Sequence, residues 1–317
     1  MKIYEGLDNL PEIRNAVVTS GTFDGVHLGH QKILSRIKQT AREMNGETVL
    51  ITFWPHPRLV LYPNEHNLRL LSTFEEKASL LKKFGLDHLI TIPFTKEFSQ
   101  LSSEEFIQQV LIEKINTKKL VIGYDHRFGK NREGGFEFLK ANINKYKFEL
   151  EEISREDIDQ VGISSTKIRR ALENGEVHVA NEFLGRPYEI NGIVIKGEQI
   201  GRSIGFPTAN IHIPNDYKLI PCDGAYAVEV KVEDQIFKGM LNIGNRPTLK
   251  GIHQTVEVNL FDFSDDLYDK RVTVYFKEYL RPEEKFANLE ELKKQLEKDR
   301  LKAMEIFKNS DPKYKTI

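Results

Sequence analysis

Short apolar runs and longer amphipathic stretches alternate through the first half of the chain. Ala16–Thr19, Thr48–Phe53, His88–Pro93 and Leu120–Gly123 are rich in Val, Ile and Leu and predict buried strands. Between them, Gly29–Glu43, Phe74–Phe84 and Glu104–Ile115 repeat their apolar residues at helical spacing. Ser102 with Glu105 predicts a capping box at the start of the third helix. Strands that alternate with helices predict an α/β domain with a parallel, doubly wound sheet.

The pattern changes after about Gly185. Tyr188–Ile195, Ala225–Val232, Ile236–Ile243, Thr255–Phe263 and Val272–Tyr279 are strand-like, and several alternate apolar with polar residues. Gly, Pro, Asn and Asp punctuate the gaps in GRSIGFPT, IPND, PCDG, IGNRP and DFSDD, so an antiparallel barrel or sandwich is expected. One helix closes the chain, with Leu289, Leu292, Leu296, Ala303 and Phe307 near one face. That stripe predicts a surface docked on the barrel rather than a functional groove. The 317 residues suffice for two domains at roughly 100–200 residues each. We place them at 1–184 and 185–317.

Charge narrows the function classes. Lys and Arg total 46 against 47 Asp and Glu. A nucleic-acid or membrane-surface partner, which calls for a basic excess, is therefore not expected. Small anionic ligands need only local positive charge and stay open. Cys222 is the sole cysteine, so an intramolecular disulfide is impossible, as suits a reducing compartment. The opening MKIYEGLDNLPEIR has acids and no apolar core of a leader, and no apolar run nears the roughly 20 residues that span a bilayer. A cytoplasmic protein is the expectation.

Two constellations carry chemistry. The first, SGTFDGVHLGH (Ser20–His30), follows a predicted strand and opens a predicted helix. Gly21 and Gly25 permit a sharp turn, and Gly29 permits close approach at a helix N-terminus, where free N–H groups and the dipole favour phosphate. His27 and His30 can donate to phosphoryl oxygens as charge develops. The glycine spacing is not that of the dinucleotide fingerprint. A histidine pair also suits a metal, but no third ligand stands at suitable spacing.

The string HLGH resembles the signature of the nucleotidyltransferase superfamily, and GTFDGVHLGH is similar to prokaryotic FAD synthetases in particular. ITFWPHPR (Ile51–Arg58), GYDHRFGKNREG (Gly123–Gly134) and ISSTKIRRAL (Ile163–Leu172) agree with that family. The resemblance implies a Rossmann-like fold, with the phosphates of ATP at Gly21, Asp24, Gly25, Gly29, Ser165, Thr166 and Arg169. It implies a flavin lined by Gly123, Asp125 and Arg127. By itself, ISSTKIRR is an exposed helix start with Ser164, Ser165 and Thr166 as ordinary caps and Lys167 as a solvated charge. His126 is a departure, since the family more often has an aromatic residue there.

The second constellation is GRSIGFPTAN (Gly201–Asn210). Gly201 and Gly205 open backbone N–H groups to an anion, and Thr208 and Asn210 offer oxygens suited to Mg²⁺. The same string is equally a barrel hairpin with a polar strand end. GRSIGFPTAN, LNIGNRPT, VEVNLFDFSDDLY and YLRPEEKF, in this order, resemble the riboflavin kinase module of bacteria and eukaryotes. That likeness implies a compact β-barrel with a C-terminal helix, Mg²⁺ and nucleotide at Thr208 and Asn210, Glu257 as catalytic base, and Arg281 beside the flavin. Asn259, where His is frequent, and Asp269, where Gly commonly follows the Leu-Tyr pair, are departures.

Together the resemblances imply that ATP phosphorylates riboflavin to FMN and that a second ATP adenylylates FMN to FAD. Two other readings are weighed: a nucleotidyltransferase for another phosphorylated metabolite, and a flavin- or nucleotide-binding regulator without catalysis. PTAN with Glu257 argues against the first, and retention of both histidines and Glu257 against the second.

Overall fold

The structure, a computed structural model, describes residues 1–63, 68–154, 162–197, 200–248 and 251–309. It comprises two compact units, Met1–Ser165 and Thr166–Ile317. The first is a six-stranded sheet in the order β1-β4-β3-β2-β5-β6. Its strands are β1 (Lys2–Glu5), β2 (Val17–Ser20), β3 (Thr48–Trp54), β4 (His88–Pro93), β5 (Lys119–Gly123) and β6 (Glu149–Ile153). Every pairing is parallel. The helices are α1 (Leu28–Glu43), α2 (Pro57–Leu61), α3 (Phe74–Lys83), α4 (Ser103–Glu105) and α5 (Phe136–Asn142).

Adjacent residues of each central strand feed opposite cores, because successive side chains of a strand point to opposite faces. Val18, Ile51, Ile90 and Ile122 pack with Phe106, Ile107 and Leu111 on one side. Val17, Leu50, Leu89 and Val121 pack with Leu34, Ile37 and Leu81 on the other. This double burial explains why the strands read as continuous apolar runs. Sequence reasoning passed over β1 and β6, which lie at the sheet edges and carry charge. On β6, Glu151 pairs with Arg36 and with Lys119, the latter at 2.9 Å. The capping box at Ser102 and Glu105 is present, but the helix it starts continues as a π-helical stretch, Phe106–Lys114.

The second unit opens with α6 (Ser165–Glu173) and α7 (Val177–Leu184), which ends at Gly185 in the left-handed conformation, φ +69°. A closed barrel follows in the order β10-β11-β8-β7-β12-β9. It consists of β7 (Tyr188–Ile195), β8 (Ala209–His212), β9 (Gly224–Val232), β10 (Gln235–Thr248), β11 (Gly251–Leu260) and β12 (Arg271–Arg281). A short helix, α8 (Ile200–Ser203), precedes β8, and α9 (Leu289–Asn309) closes the described chain. IGNRP, expected as a turn, lies inside β10, where its backbone pairs with β11.

The stripe on α9 divides. Ala303 and Phe307 join a core with Ala225, Ala227, Met240 and Phe261, whereas Leu289 is 52% exposed. Leu292 and Leu296 instead face the cavity described below. Among the described residues no helix is long and apolar enough to cross a membrane.

Helix α7 is fastened to the barrel by Asn181. Its Oδ1 accepts from the Tyr188 amide at 2.7 Å and its Nδ2 donates to the Phe276 carbonyl at 2.9 Å. Asn181 is buried, so Asn181→Leu leaves two backbone groups without partners. At about 1–3 kcal/mol for each buried orphan, urea unfolding followed by tryptophan-independent far-UV signal should show a loss of at least about 2 kcal/mol. An unchanged midpoint would detach α7 from the barrel's stability.

Candidate active sites

In the first unit, the parallel order reverses direction between β2 and β5, and ligands of such sheets bind beyond the strand ends at that switch. Strand β2 ends at Ser20, and the loop 21–27 leads into α1. The loop is bent against ordinary side-chain preference: Phe23 and Val26 hold φ of +48° and +41°. Four hydrogen bonds hold it. The Asp24 carboxylate accepts from the Leu71 and Ser72 amides, each at 3.1 Å. The Gly25 amide donates to Ser72 Oγ at 3.1 Å. Lys77 Nζ donates to the Thr22 carbonyl, also at 3.1 Å.

The loop sets His27 at the N-cap of α1, which has no side-chain cap and no acid in its first turn. That helix end retains its positive character. The rings of His27 and His30 stack at 3.7 Å, and Phe23 covers His30 at 4.5 Å. Burial, reinforced by His27 and then Lys77, holds the His30 pKa well below its ordinary value, so the ring is neutral at pH 7. Gly29 is buried in the first turn.

The other expected residues of this unit divide between loop and surface. Ser165 Oγ donates to the Asp24 carbonyl at 3.0 Å, which joins the ISSTK segment to the GTFDG loop. Thr166 is exposed and Arg169 half-buried. Gly123 is buried at the end of β5, while Asp125 and Arg127 are exposed. His126 turns inward, its Nε2 sharing a hydrogen bond with Ser20 Oγ at 2.9 Å. Burial pushes the His126 pKa down to about 4. Its ring is tilted at 5.7 Å from Phe128.

In the second unit, a cavity of about 270 Å³ opens between the barrel and α9. Gly201, Thr208, Glu257, Asn259 and Arg281 all line it. Glu257 lies on β11 opposite Asn242 of β10 and Asn210 of β8. Thr208 Oγ1 donates to Glu257 Oε2 at 3.3 Å, so the PTAN segment and the strand carboxylate meet. Two residues further on the same strand face, Asn259 Nδ2 donates to the Pro207 carbonyl at 2.7 Å. The sequence departure at 259 therefore ties the PTAN loop to β11.

Gly201 is sterically required, since a Cβ there would stand 2.2 Å from the Phe206 carbonyl oxygen. Gly205 is exposed with φ +87°. Asp269 keeps the left-handed conformation that glycine favours, φ +61°. Arg281 forks onto the buried Asp299 through Nε and Nη2 at 2.9–3.1 Å, and Gln295 adds a third donor to that carboxylate. No cluster of three or more His, Cys, Asp or Glu that could hold a metal occurs among the described residues.

Sequence reasoning missed Ser72 and Lys77 in the first unit, and Asn242, Phe286 and the α9 leucines in the cavity wall. Lys77 left a usable signal, a lysine in phase with the apolar face of a predicted helix. Phe286 and the leucines left none, because an apolar side chain beside a cavity reads like any core residue.

Comparison with known proteins follows the same division. The FAD synthetase family model matches residues 10–167 and the riboflavin kinase model residues 184–307. The bifunctional riboflavin kinase/FMN adenylyltransferase of Haemophilus influenzae is 38% identical over 98% of this chain and 100% of its own length. The Bacillus subtilis protein of the same name is 37% identical over 94% of both chains. A crystal structure described as a macrolide-efflux protein from Streptococcus pneumoniae superposes with a TM-score of 0.88 at 30% identity, covering 98% of this chain and 99% of that one. Matched along nearly its whole length, the chain belongs to the bifunctional riboflavin kinase/FMN adenylyltransferase family.

Proposed function

We propose that the family's two reactions divide along the chain, with adenylyl transfer in residues 1–184 and riboflavin phosphorylation in residues 185–317. The observation that carries this reading is that each matched segment holds its own phosphate-directed loop: GTFDGVHLGH before α1, and GRSIGFPTAN beside Glu257. ATP phosphorylates riboflavin to FMN, and a second ATP adenylylates FMN to FAD with release of pyrophosphate. A cytoplasmic setting suits a protein with a single thiol that consumes ATP.

In the kinase reaction, the ribityl hydroxyl oxygen attacks the γ-phosphorus, the bond to ADP breaks, and Glu257 takes the hydroxyl proton. Arg281, fixed by Asp299, lines the flavin side of the cavity. Gly201 and Gly205 bring backbone amides to the phosphates. Thr208 and Asn210, neutral oxygen donors of the PTAN segment with no soft ligand beside them, would hold Mg²⁺ arriving on nucleotide phosphates. When bound, Mg²⁺ neutralises charge on those phosphates.

In the adenylylation reaction, an FMN phosphate oxygen attacks the α-phosphorus and the bond to pyrophosphate breaks. The attacking group is already anionic, so no strong base is needed. Gly21, Gly25 and Gly29 open the loop and first turn to phosphate, with Asp24 as the loop's anchor. His27 and His30 stabilise the leaving pyrophosphate with Ser165, Thr166 and Arg169. A neutral imidazole serves here as a hydrogen-bond donor, as the low pKa of His30 allows. Gly123, Asp125 and Arg127 line the FMN.

The two sites are tested against each other in the full chain by chromatography of flavins. Glu257→Gln keeps size but cannot accept the proton, so FMN formation should fall by roughly 10²–10⁴, while supplied FMN is still converted to FAD. A Gln variant that phosphorylates riboflavin at the parental rate would move the base elsewhere.

The converse holds for the histidines. His27→Ala and His30→Ala should each cost about 10²–10³ in adenylylation and leave riboflavin phosphorylation intact. Equal damage to both activities would make the histidines structural.

A further inference from the structure

Lys77 is buried, with 5% of its surface exposed, in the middle of α3. An ammonium group is costly to bury unless it is hydrogen-bonded. Its Nζ donates to the Thr22 carbonyl and to Thr52 Oγ1, both at 3.1 Å. Thr52 Oγ1 in turn donates to the same Thr22 carbonyl at 3.4 Å. This triangle joins α3 and β3 to one peptide of the loop that delivers the histidines. Thr22 directly precedes Phe23, whose backbone is in the left-handed region and whose ring covers His30. The titratable groups that face it are the Asp24 carboxylate, which favours the ammonium, and across the loop His30, on which His27 is stacked. Burial lowers the Lys77 pKa to about 8, and the ammonium contributes to the low pKa of His30.

We infer that Lys77 is the positioning residue of the adenylylation centre: its grip on the Thr22 carbonyl sets the loop that places Phe23, His27 and His30. This rests on the assignment of adenylyl transfer to that histidine pair. A displaced donor loses most of its value in the transition state, because a misplacement of about 1 Å can cost on the order of 10²-fold in rate. Binding of the ground-state substrates depends less on that alignment.

The test uses the full chain and reads both activities of each variant. Lys77→Met keeps length and apolar bulk but removes the donor. Adenylylation kcat should fall roughly 10- to 100-fold, with KM for FMN and ATP changed by less than about threefold. Thr52→Val, which removes one side of the triangle, should lose less. Riboflavin phosphorylation in the same samples should stay within about twofold of the parent, which also reports that the second unit is folded. NMR titration of His30 should show its pKa rising in Lys77→Met, since a neighbouring cation is gone.

Parental adenylylation kinetics in Lys77→Met would overturn the inference. So would a rise in KM at constant kcat, which would mean uniform substrate binding. Loss of both activities with a lowered unfolding midpoint would assign Lys77 to folding instead. His27→Ala and His30→Ala run alongside separate the two claims. If they retain adenylylation, the histidine assignment itself fails, whereas their loss beside an active Lys77→Met variant removes Lys77 alone.

Discussion

Strand β2 is buried on both faces along its whole length, from Val17 to Ser20, and the first candidate site follows from that constraint. A strand packed above and below has no polar face on which to build chemistry, so functional groups must come from its end. All its neighbours are parallel, which brings the carboxyl ends of the strands to one edge. There β3 lies on one side of β2 and β5 on the other, and the crevice between β2 and β5 is the place where the loops diverge. The loop that follows β2 starts at that edge. It needs Phe23 and Val26 in strained conformations, and these persist because Asp24, Ser72 and Lys77 hold the backbone.

Much of this was legible in the residue pattern. Doubly buried strands announce themselves as Val- and Ile-rich runs, and Val17–Val18 or Leu89–Ile90 cannot place both neighbours in one core. The six-stranded parallel sheet was therefore half-written in four strands. The edge strands were not visible, since β6 spends its side chains on Arg36 and Lys119 and shows no apolar run. In the barrel, β8 was hidden for another reason. Ala209–His212 is too short and polar to read as a strand, and its partners, such as Ile195 and Glu257 on either side of Asn210, are set by register across distant segments.

The candidate site residues were legible as types but not as contacts. Thr208 and Glu257 are 49 residues apart in sequence, and their meeting depends on barrel closure. Ser165 and Asp24 are 141 apart, and their meeting depends on the sheet. Asn259 shows the limit from the other side. It stands out in the sequence only as a departure from a family pattern, while in the fold its amide reaches the Pro207 carbonyl and secures the loop that leads to Thr208 and Asn210. A short polar side chain can serve there because β11 runs directly beneath the loop.

The two candidate centres differ in how burial treats their titratable side chains. In the barrel the carboxylate of Glu257 is half-buried, accepts from a hydroxyl and faces a cavity. In the sheet domain burial holds His30 and His126 neutral. A charged imidazole would bind phosphate oxygens before and after the bond breaks, whereas a neutral N–H discriminates by geometry. Under the proposed adenylyl transfer the gain depends on where the ring sits when pyrophosphate leaves, and rigid placement counts for more than charge. The Phe23–His30–His27 stack, with each ring packed on the next, supplies that rigidity.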